Sequence, residues 1–350
     1  MTRRVDGKDL QRFATEAFTS AGMPAEDAAT EAEVLVWANL RGVDSHGISR
    51  IDAYVSALEK GSMNARPEIR ILAERASAIF IEGDHAMGPV VTNFAVAQVA
   101  EKARATGVGW ALIRNTTHQG AMGYYVERLA LMGLAGICIV TNPPNMAPPG
   151  AKAAGTHNSP IGFGVPGGEH GPLIFDMATS VAAFGKLTVA MDKGESIPDT
   201  WALDEHGEPT TDPAAGRILQ PAGGYKGYGL ALMFECFTGL MAGNPLLSPH
   251  LLKDKEGKAK RGAQNSVVAA IDVSMFDDLD EFRQEVDDLV RAEKSLPTRP
   301  GVDEVLVPGE LEKRTLADRS AKGIPMPPGT WDRLLNVAEK FSLELPREVD

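Results

Sequence analysis

The residues best suited to chemistry in this chain lie in the segment DSHGISR, at residues 44–50. His46 can exchange a proton near neutral pH, and Arg50 can hold a carboxylate in a two-pronged hydrogen bond. The segment opens a predicted helix over residues 45–61, and residues four apart share one helical face. Such a pair could turn over a small 2-oxo or 2-hydroxy acid. Alternatively, Ser45 caps the helix while His46 and Arg50 point into solvent.

A second candidate segment is NTTHQGAMG, at residues 115–123, in a predicted turn from a strand to a helix. Ligands gather beyond the carboxyl ends of strands, and the first N–H groups of a helix are free to bind an anion. The small residues would let a ligand approach the main chain. His118 could donate to a phosphate or a substrate oxygen. Alternatively, Thr117 caps the helix and His118 lies on the surface.

Two further segments combine turn residues with a charge. In IFDMATS, residues 174–180, Asp176 could accept hydrogen bonds from ribose hydroxyls or cap a helix, and ten residues later Lys186 could face a substrate or solvent. In GGYKGYG, residues 223–229, four glycines accompany Lys226 just before an apolar helix. Flexible backbone, a helix dipole and a cation make this loop receptive to an anion.

Other chemistry is not supported by the motifs. The letters of GFGVPG, residues 162–167, match the dinucleotide fingerprint, but the following glycines and Pro172 cannot continue a helix, so an ordinary Rossmann site is not expected. The seven histidines never form H-x-x-x-H, so no metal site is predicted. No G-x-S-x-G elbow indicates a serine hydrolase.

Composition limits the partners. The chain has 350 residues, enough for roughly two domains, and 35 Lys and Arg against 47 Asp and Glu give a net charge of -12. Without a long basic run, nucleic acid is not an expected partner. A polar N-terminus and the lack of an apolar stretch of about 18 residues predict no membrane association and a cytoplasmic location. Cys138 and Cys236 are interpreted as core thiols.

Hydrophobic periodicity predicts a helical N-terminal part followed by a mixed α/β region. The clearest unit is a βαβ crossover, with strands over residues 109–114 and 135–142 around a helix over 120–132. The other predicted helices cover residues 6–22, 24–40, 45–61, 179–191, 223–242, 278–294 and 330–341. In the helix over residues 45–61, apolar side chains recur at helical spacing and are expected to form a buried stripe of core residues, namely Ile48, Ile51, Tyr54, Val55 and Leu58. The other predicted strands begin at residue 78, end at Asp176, or cover residues 267–273 and 305–307.

Four motifs in order, DSHG at residues 44–47, NTTHQG at 115–120, DMATS at 176–180 and GGYKGYGL at 223–230, resemble the non-Rossmann malate/L-lactate dehydrogenase family. That family includes ureidoglycolate dehydrogenase, 2,3-diketogulonate reductase and cyclic-imine reductases. The resemblance implies an α/β fold whose mixed-sheet domain, residues 76–309, binds NAD or NADP. It also implies a helical domain over residues 1–75 with residues 310–350 packed back on it, and a homodimer with its active site near the subunit contact.

The resemblance also implies roles for individual residues. Ser45 would orient His46, the proton donor or acceptor, with His118 as the rival base and Arg50 as the carboxylate clamp. Asn158 would contact substrate, and Lys186 joins the catalytic set. The residues expected to line the cofactor are His118, Gln119, Gly120, Ala121, Met122, Asp176, Met177, Ala178, Lys226, Pro308, Gly309 and Glu310.

Two departures from the family pattern bear on the substrate. Residues 157–160 read HNSP where relatives often carry GTNP, and Lys186 stands where imine-reducing relatives have an acid. A cation there suits a hydroxy or oxo acid better than a cationic imine. The expected reaction is hydride transfer between NAD or NADP and C2 of a small 2-hydroxy/2-oxo acid. The alternatives are a cyclic-imine reductase, a lyase or aldolase using Lys226 or Lys186 as a Schiff base, and a non-catalytic nucleotide-binding module.

Overall fold

The computed structural model describes residues 3–252 and 263–349, which contain eleven α-helices and twelve strands. The helices are α1 (Gly7–Ser20), α2 (Ala25–Leu40), α3 (Ile51–Glu59), α4 (Gly88–Thr106), α5 (Met122–Leu131), α6 (Phe184–Lys193), α7 (Tyr225–Glu235), α8 (Leu247–Leu251), α9 (Leu279–Lys294), α10 (Glu310–Lys322) and α11 (Pro328–Phe341). The strands are β1 (Arg3–Val5), β2 (Arg70–Glu74), β3 (Ala78–Glu82), β4 (Val108–Thr116), β5 (Leu134–Thr141), β6 (Ile161–Val165), β7 (Leu173–Met177), β8 (Ala202–Leu203), β9 (Pro209–Thr210), β10 (Ile218–Leu219), β11 (Gln264–Asp272) and β12 (Ile324–Met326).

A seven-stranded sheet with the order β2-β3-β4-β11-β5-β6-β7 forms the centre of the α/β part. Neighbouring strands are antiparallel except for β3 and β4. The predicted unit β4-α5-β5 is confirmed, but β11 lies between its two strands. The prediction of a mixed α/β fold is therefore confirmed.

Glycines on β6 allow α5 to lie close against the sheet. A Cβ on Gly164 would lie 2.6 Å from the carbonyl oxygen of Val126, and one on Gly162 would lie 3.0 Å from the Cβ of Met122. Just beyond β6, the N–H groups of Gly168, Glu169 and His170 donate to the Asp287 carboxylate. The glycines that resemble a nucleotide fingerprint therefore serve helix packing, and the N–H groups after them bind an internal anion.

The N-terminal helices share a core with the end of the chain. Leu10 of α1, Leu35 of α2, Ile51 of α3 and Leu334 of α11 are all fully buried in one cluster. Strands β1 and β12 pair beside it. Helices α1 and α2 confirm the predictions over residues 6–22 and 24–40. The division into domains at residues 75 and 76 stays a prediction.

Other predictions of secondary structure are wrong or incomplete. Helix α4 was not predicted, because buried residues occupy several of its faces and leave no clear amphipathic stripe. Helix α6 begins at Phe184, five residues after the predicted start. Residues 305–307 form no strand, and α10, which follows them, was missed. A short π-helical segment, Cys236–Leu240, extends α7 within the predicted helix over 223–242.

No helix in the described ranges is both long and apolar enough to cross a membrane.

Candidate active site

The segment that carries His46 and Arg50 is not one α-helix, so the prediction over residues 45–61 is wrong in its first turns. Two 3-10 turns, Asp44–His46 and Ile48–Arg50, precede α3. They are separated by Gly47, whose backbone is extended at φ -97° and ψ -153°. His46 and Arg50 therefore do not share a helical face in the way their spacing suggests. The predicted buried stripe from Ile48 to Leu58 is nevertheless confirmed.

Asn39 of α2 shapes this break. Its Oδ1 accepts from the Ile48 N–H at 2.7 Å, and its Nδ2 donates to Asp44 Oδ1 at 2.6 Å. A Cβ on Gly47 would lie 2.3 Å from Asn39 Oδ1, so only glycine leaves room for the amide. The polar bridge from α2 thus replaces helical hydrogen bonds and sets where His46 points.

Ser45, His46 and Arg50 hold one another by short contacts. The Ser45 hydroxyl lies 2.9 Å from His46 Nδ1, so it orients the ring instead of capping a helix. Arg50 Nε donates to the Ser45 carbonyl at 2.7 Å. Helix α6 approaches this turn so closely that a Cβ on Gly185 would lie 2.6 Å from Ser45 Cβ. The hydrogen bond from Nε to the Ser45 carbonyl anchors one edge of the Arg50 guanidinium.

His118 comes from the turn after β4, as predicted, but Thr117 does not cap α5. The N–H and the hydroxyl of Thr117 both donate to the carbonyl of Ala86, and α5 starts only at Met122, after Ala121. A Cβ on Gly88 would lie 2.3 Å from the His118 carbonyl oxygen. Close packing against residues 86–88 therefore fixes the His118 loop.

The structure brings His46 and His118 together. Their ring centroids are 5.4 Å apart with an interplanar angle of 31°, although the residues are 72 positions apart in the sequence. Both residues are partly exposed. The hydroxyl of Tyr54 lies 2.6 Å from His118 Nδ1. Sequence reasoning took Tyr54 only as a core residue, because its place in the apolar stripe of α3 hid its polar end.

Burial and positive charge keep these rings neutral. Desolvation, followed by the charge of Arg50, lowers the pKa of His46 to about 4. Desolvation and the neighbouring His46, Arg50 and His157 lower the pKa of His118 well below its usual range. Burial lowers the pKa of His157 to about 3. At neutral pH the three imidazoles are therefore uncharged.

Two residues of this region were missed as part of the site. His157 is buried and electrostatically coupled to His118, and it belongs to the departure HNSP in the sequence. Glu31 of α2 is 1% exposed, and its Oε2 has no hydrogen-bond partner among the described residues. Burial raises the pKa of Glu31 to about 8. No local sequence pattern marks a glutamate on a mostly buried helix.

The four segments expected to line the cofactor meet around the end of β7. Asp176 Oδ2 accepts from the Gly123 N–H at the start of α5, at 2.7 Å, while Asp176 remains exposed. A Cβ on Gly309, which has φ +80°, would lie 3.0 Å from the Ile174 carbonyl oxygen. A Cβ on Gly227, next to Lys226, would lie 2.3 Å from the Thr179 carbonyl oxygen. The turn before α10 and the first turn of α7 therefore both pack on this strand and its continuation.

Several of these residues have side-chain groups that are already engaged within the protein. The Gln119 amide donates to Ser266 Oγ at 2.7 Å, and Met122 lies in the core beside Cys138. The Glu310 carboxylate accepts from Lys294 at 2.7 and 2.8 Å. Of the remaining residues predicted to line the cofactor, Gly120 and Ala121 are buried, and Met177, Ala178 and Pro308 are partly or fully exposed.

Asn158 and Lys186 differ in how firmly they are held. Asn158 Oδ1 accepts from Asn145 Nδ2 at 2.9 Å, and its N–H donates to Asn145 Oδ1 at 2.8 Å. Lys186 is exposed, with Nζ 5.8 Å from the ring centroid of Trp201. No hydrogen bond within the described ranges joins it to another predicted site residue. In those ranges no group of three His, Cys, Asp or Glu residues could hold a metal ion.

Comparisons with known proteins agree with this architecture. The sequence model described as malate/L-lactate dehydrogenase matches residues 5–335. The chain is 35% identical over 353 residues to L-sulfolactate dehydrogenase of Methanothermobacter thermautotrophicus, covering 98% of each protein. It is 33% identical over 351 residues to malate dehydrogenase of Pyrococcus abyssi, covering 97% of this chain and 96% of the relative.

Solved structures give the same result. The crystal structure of malate dehydrogenase from Entamoeba histolytica superposes with a TM-score of 0.93 at 26% identity, covering 99% of this chain and 100% of that one. The chain therefore belongs to the malate/L-lactate dehydrogenase family of oxidoreductases.

Proposed function

We propose that this protein is a dehydrogenase that uses NAD or NADP to interconvert a small 2-hydroxy acid and its 2-oxo acid. The observation that carries the proposal is the pair of neutral rings, His46 and His118, 5.4 Å apart beside the anchored guanidinium of Arg50. A neutral imidazole can take the proton of a substrate hydroxyl, and a fixed cation can hold its carboxylate. Two imidazoles and one guanidinium are therefore suited to a substrate whose hydroxyl-bearing carbon is bonded to a carboxylate.

Arg50 supports an acidic substrate because its charge is not used within the protein. Only Nε is hydrogen-bonded, to the Ser45 carbonyl, and no carboxylate in the described ranges lies within 4.0 Å of the guanidinium. The charge of Arg50 acts on His46, His118 and Tyr54 alike. A carboxylate bound there would satisfy the two terminal nitrogens and sit next to both rings.

Asn158 can offer the substrate a second polar contact. Its side-chain oxygen and N–H are both bonded to Asn145, and its carbonyl accepts from the Thr179 N–H at 3.0 Å. The donors on its Nδ2 have no partner within residues 3–252 and 263–349. We assign them to a substrate oxygen.

The residues around the end of β7 fit a nicotinamide dinucleotide. Asp176 is an exposed acceptor already oriented by Gly123, as binding of a ribose hydroxyl requires. Thr179 Oγ1 and Gln119 Oε1 are buried in this region without a hydrogen-bond partner in the described chain. Lys226 and the flexible glycines beside it suit a phosphate. When bound, the cofactor supplies the hydride acceptor or donor, and the protein supplies orientation and the proton.

The Schiff-base alternative has less support. A lysine nucleophile is activated when it is desolvated or placed beside another cation. Lys226 and Lys186 are both exposed. Cyclic-imine reduction is tested directly by the substrates chosen below.

We further propose a homodimer, as the family resemblance implies, and a cytoplasmic location. Helices α6 and α7 share a small core that includes Leu187 and Ala231. Their outer faces carry exposed apolar side chains of the kind that mark protein interfaces. The exposed apolar residues of α6, α7 and the π-helical segment include Phe184, Val189, Met191, Leu230, Leu232, Met233, Phe237 and Leu240. Because α6 also contacts Ser45, a partner seated there would lie next to the active site.

The test is a screen for nicotinamide oxidation and reduction at 340 nm. The substrates are malate, lactate, sulfolactate, ureidoglycolate, the matching 2-oxo acids and cyclic imino acids, each with NAD(H) and NADP(H). We expect turnover of at least one hydroxy or oxo acid. His46→Ala and His118→Ala should each lower kcat about 10²- to 10⁴-fold with little change in cofactor affinity.

The matched control is His206→Ala, because the His206 side chain is 76% exposed, in the turn between β8 and β9. Activity confined to cyclic imines would show that cyclic imines, and not hydroxy or oxo acids, are the substrate class. Borohydride trapping of a 2-oxo acid on the protein without any nicotinamide turnover would support the Schiff-base alternative. Cofactor binding without turnover of any substrate would favour the non-catalytic module.

A further inference from the structure

His118 Nδ1 has two hydrogen-bonding neighbours, both from the protein. The Tyr54 hydroxyl lies 2.6 Å from it, and the Gly120 N–H donates to it at 3.2 Å. His46 differs, because its Nδ1 contacts only the Ser45 hydroxyl, at 2.9 Å. In both rings Nδ1 is thus engaged by protein, and Nε2 has no hydrogen-bond partner in the described part of the chain. Nε2 is therefore the ring nitrogen left for substrate.

The neighbours of His118 determine where its proton sits. A backbone N–H can only donate, so the Gly120 contact requires a lone pair on Nδ1. Tyr54 is a buried residue, 5% exposed, and in the described ranges His118 is the only hydrogen-bond partner of its hydroxyl. If Nδ1 carried a proton, the hydroxyl hydrogen of Tyr54 would be buried without an acceptor, at a cost of about 1–3 kcal/mol. Neutral His118 therefore carries its hydrogen on Nε2.

We propose that the two histidines have different tasks: His118 remains neutral and donates Nε2–H to the substrate oxygen, His46 exchanges the proton, and Tyr54 is the positioning residue that fixes the tautomer of His118. This inference rests on the proposed dehydrogenase function and refines it. It assigns the acid/base role to one histidine, where the sequence leaves both open.

His46 can take the proton because Ser45 tolerates both states of its ring. Nε2 of neutral His46 has a free lone pair when Nδ1 carries the ring hydrogen, and the Ser45 hydroxyl accepts from Nδ1–H both before and after a proton reaches Nε2. In the oxidation, the O–H bond of the substrate breaks and its proton moves to Nε2 of His46. The C2–H bond breaks as hydride passes to the oxidised nicotinamide, and C2 forms a double bond to oxygen. The substrate loses two electrons, the nicotinamide gains them, and His118 keeps its hydrogen throughout.

The charges around His118 also oppose a cationic ring. His46 and Arg50 face it from the turn before α3, and His157 faces it from the loop before β6. Tyr54 faces it from α3, and Glu31 of α2 acts on that tyrosine. Of these groups only Arg50 is charged at neutral pH, and no carboxylate in the described ranges forms an ion pair with it. Protonation of His118 at Nδ1 would break the hydrogen bond from the Gly120 N–H. It would also create a positive charge that Arg50 repels.

The first test reads the tautomer without turnover. We would label the protein with ¹⁵N-histidine and record long-range ring spectra of the cofactor-free enzyme at pH 7, assigning His118 by the signals lost in His118→Gln. We expect an unprotonated Nδ1 and a protonated Nε2. Tyr54→Phe should shift His118 toward a mixture of tautomers, whereas Tyr124→Phe, which removes a hydroxyl bonded to Glu33, should not. A wild-type His118 protonated on Nδ1 would overturn the proposal.

The second test separates the two roles by their chemistry. A glutamine amide can donate a hydrogen bond but cannot exchange a proton. His118→Gln should therefore keep at least about tenfold more turnover than His118→Ala, whereas His46→Gln should be no better than His46→Ala. The reverse pattern would overturn the assignment. If no substrate is turned over at all, the proposed function fails, while the tautomer measurement still decides the state of His118.

Discussion

Asp44 and Arg319 come from opposite ends of the chain and form a two-pronged ion pair, with N–O distances of 2.6 and 3.0 Å. Arg319 belongs to α10 and also donates to the Asn39 carbonyl at 2.5 Å. Its side chain is only 13% exposed, so solvent screens this pair less than an ordinary surface pair. Helix α10 thereby holds the turn that carries Ser45 and His46.

Removing this contact should affect both stability and activity. Arg319→Ala should lower the free energy of unfolding by about 1–3 kcal/mol, because it removes the two charge-assisted hydrogen bonds to Asp44 and the one to the Asn39 carbonyl. It should also lower kcat, since His46 loses its support. Denaturant unfolding and steady-state kinetics measure the two effects. Lys322→Ala, which breaks an exposed pair with Asp318 on the same helix, is the control and should change neither by much. Equal behaviour of the two variants would contradict the role of Arg319.

Arg50 should determine the preference for a carboxylate. We expect Arg50→Ala to raise KM for the hydroxy acid about 10- to 100-fold, because one or two charge-assisted hydrogen bonds are lost. Arg50→Lys should recover only part of this, since an ammonium cannot form the two-pronged contact. The methyl ester of the same substrate gives the sharper measurement. Wild type should strongly prefer the acid and the alanine variant should not. An unchanged preference would show that Arg50 does not hold the carboxylate.

The pH dependence should reflect the low pKa of His46. Because the ring must be neutral to accept a proton, kcat/KM for oxidation should stay level down to about pH 5 and fall as His46 protonates near its pKa of about 4. Reduction needs the protonated ring and should become faster over the same interval. Since Arg50 lowers this pKa, Arg50→Gln should move the acid limb to higher pH. A wild-type midpoint near pH 6.5 would contradict the environment described for His46.

Glu31 should make the protein less stable at alkaline pH. The buried carboxyl keeps its proton to about pH 8 in the folded chain, whereas the unfolded chain releases it near 4.5. Between these values the folded state binds more protons, so stability falls as pH rises and levels off above about 8. Glu31→Gln should be close to wild type at pH 4.5 and more stable by up to about 4 kcal/mol at pH 8.5.

Urea unfolding at several pH values measures this difference. Glu26→Gln is the matched control, because Glu26 is an exposed glutamate on the same helix. A constant difference between Glu31→Gln and wild type at all pH values would mean that Glu31 is ionised in the folded protein.

The exposed apolar side chains of α7 and of the π-helical segment after it should determine the assembly state. Met233 and Leu240 are 50% and 53% exposed in the single chain. Met233→Glu and Leu240→Glu should convert the proposed dimer to a monomer, because each would bury a charge at the contact. Activity should fall with assembly, since α6 connects this region to Ser45. Light scattering after gel filtration measures the mass. Leu131→Glu, at an exposed position on α5, is the control, and a variant that stays dimeric would place the contact elsewhere.

The sequence by itself determined the local features of this protein. The helix starts at residues 6 and 278, the apolar stripe of α3 and the strand-helix-strand unit β4-α5-β5 follow from short-range patterns, and the structure has them. Ordered motifs also identified the family, because each depends on residues within a few positions of one another. These features need no knowledge of what packs against them.

Only the tertiary structure decided the geometry of the site. The distance between His46 and His118 depends on how α3 meets the loop after β4, and the break at Gly47 depends on Asn39 from another helix. Likewise β11, from far along the chain, separates β4 from β5. Such contacts join residues that are distant in sequence, and local propensity carries no information about them. The partnership of Tyr54 with His118, which fixes the proton on that ring, is therefore visible only once the chain is folded.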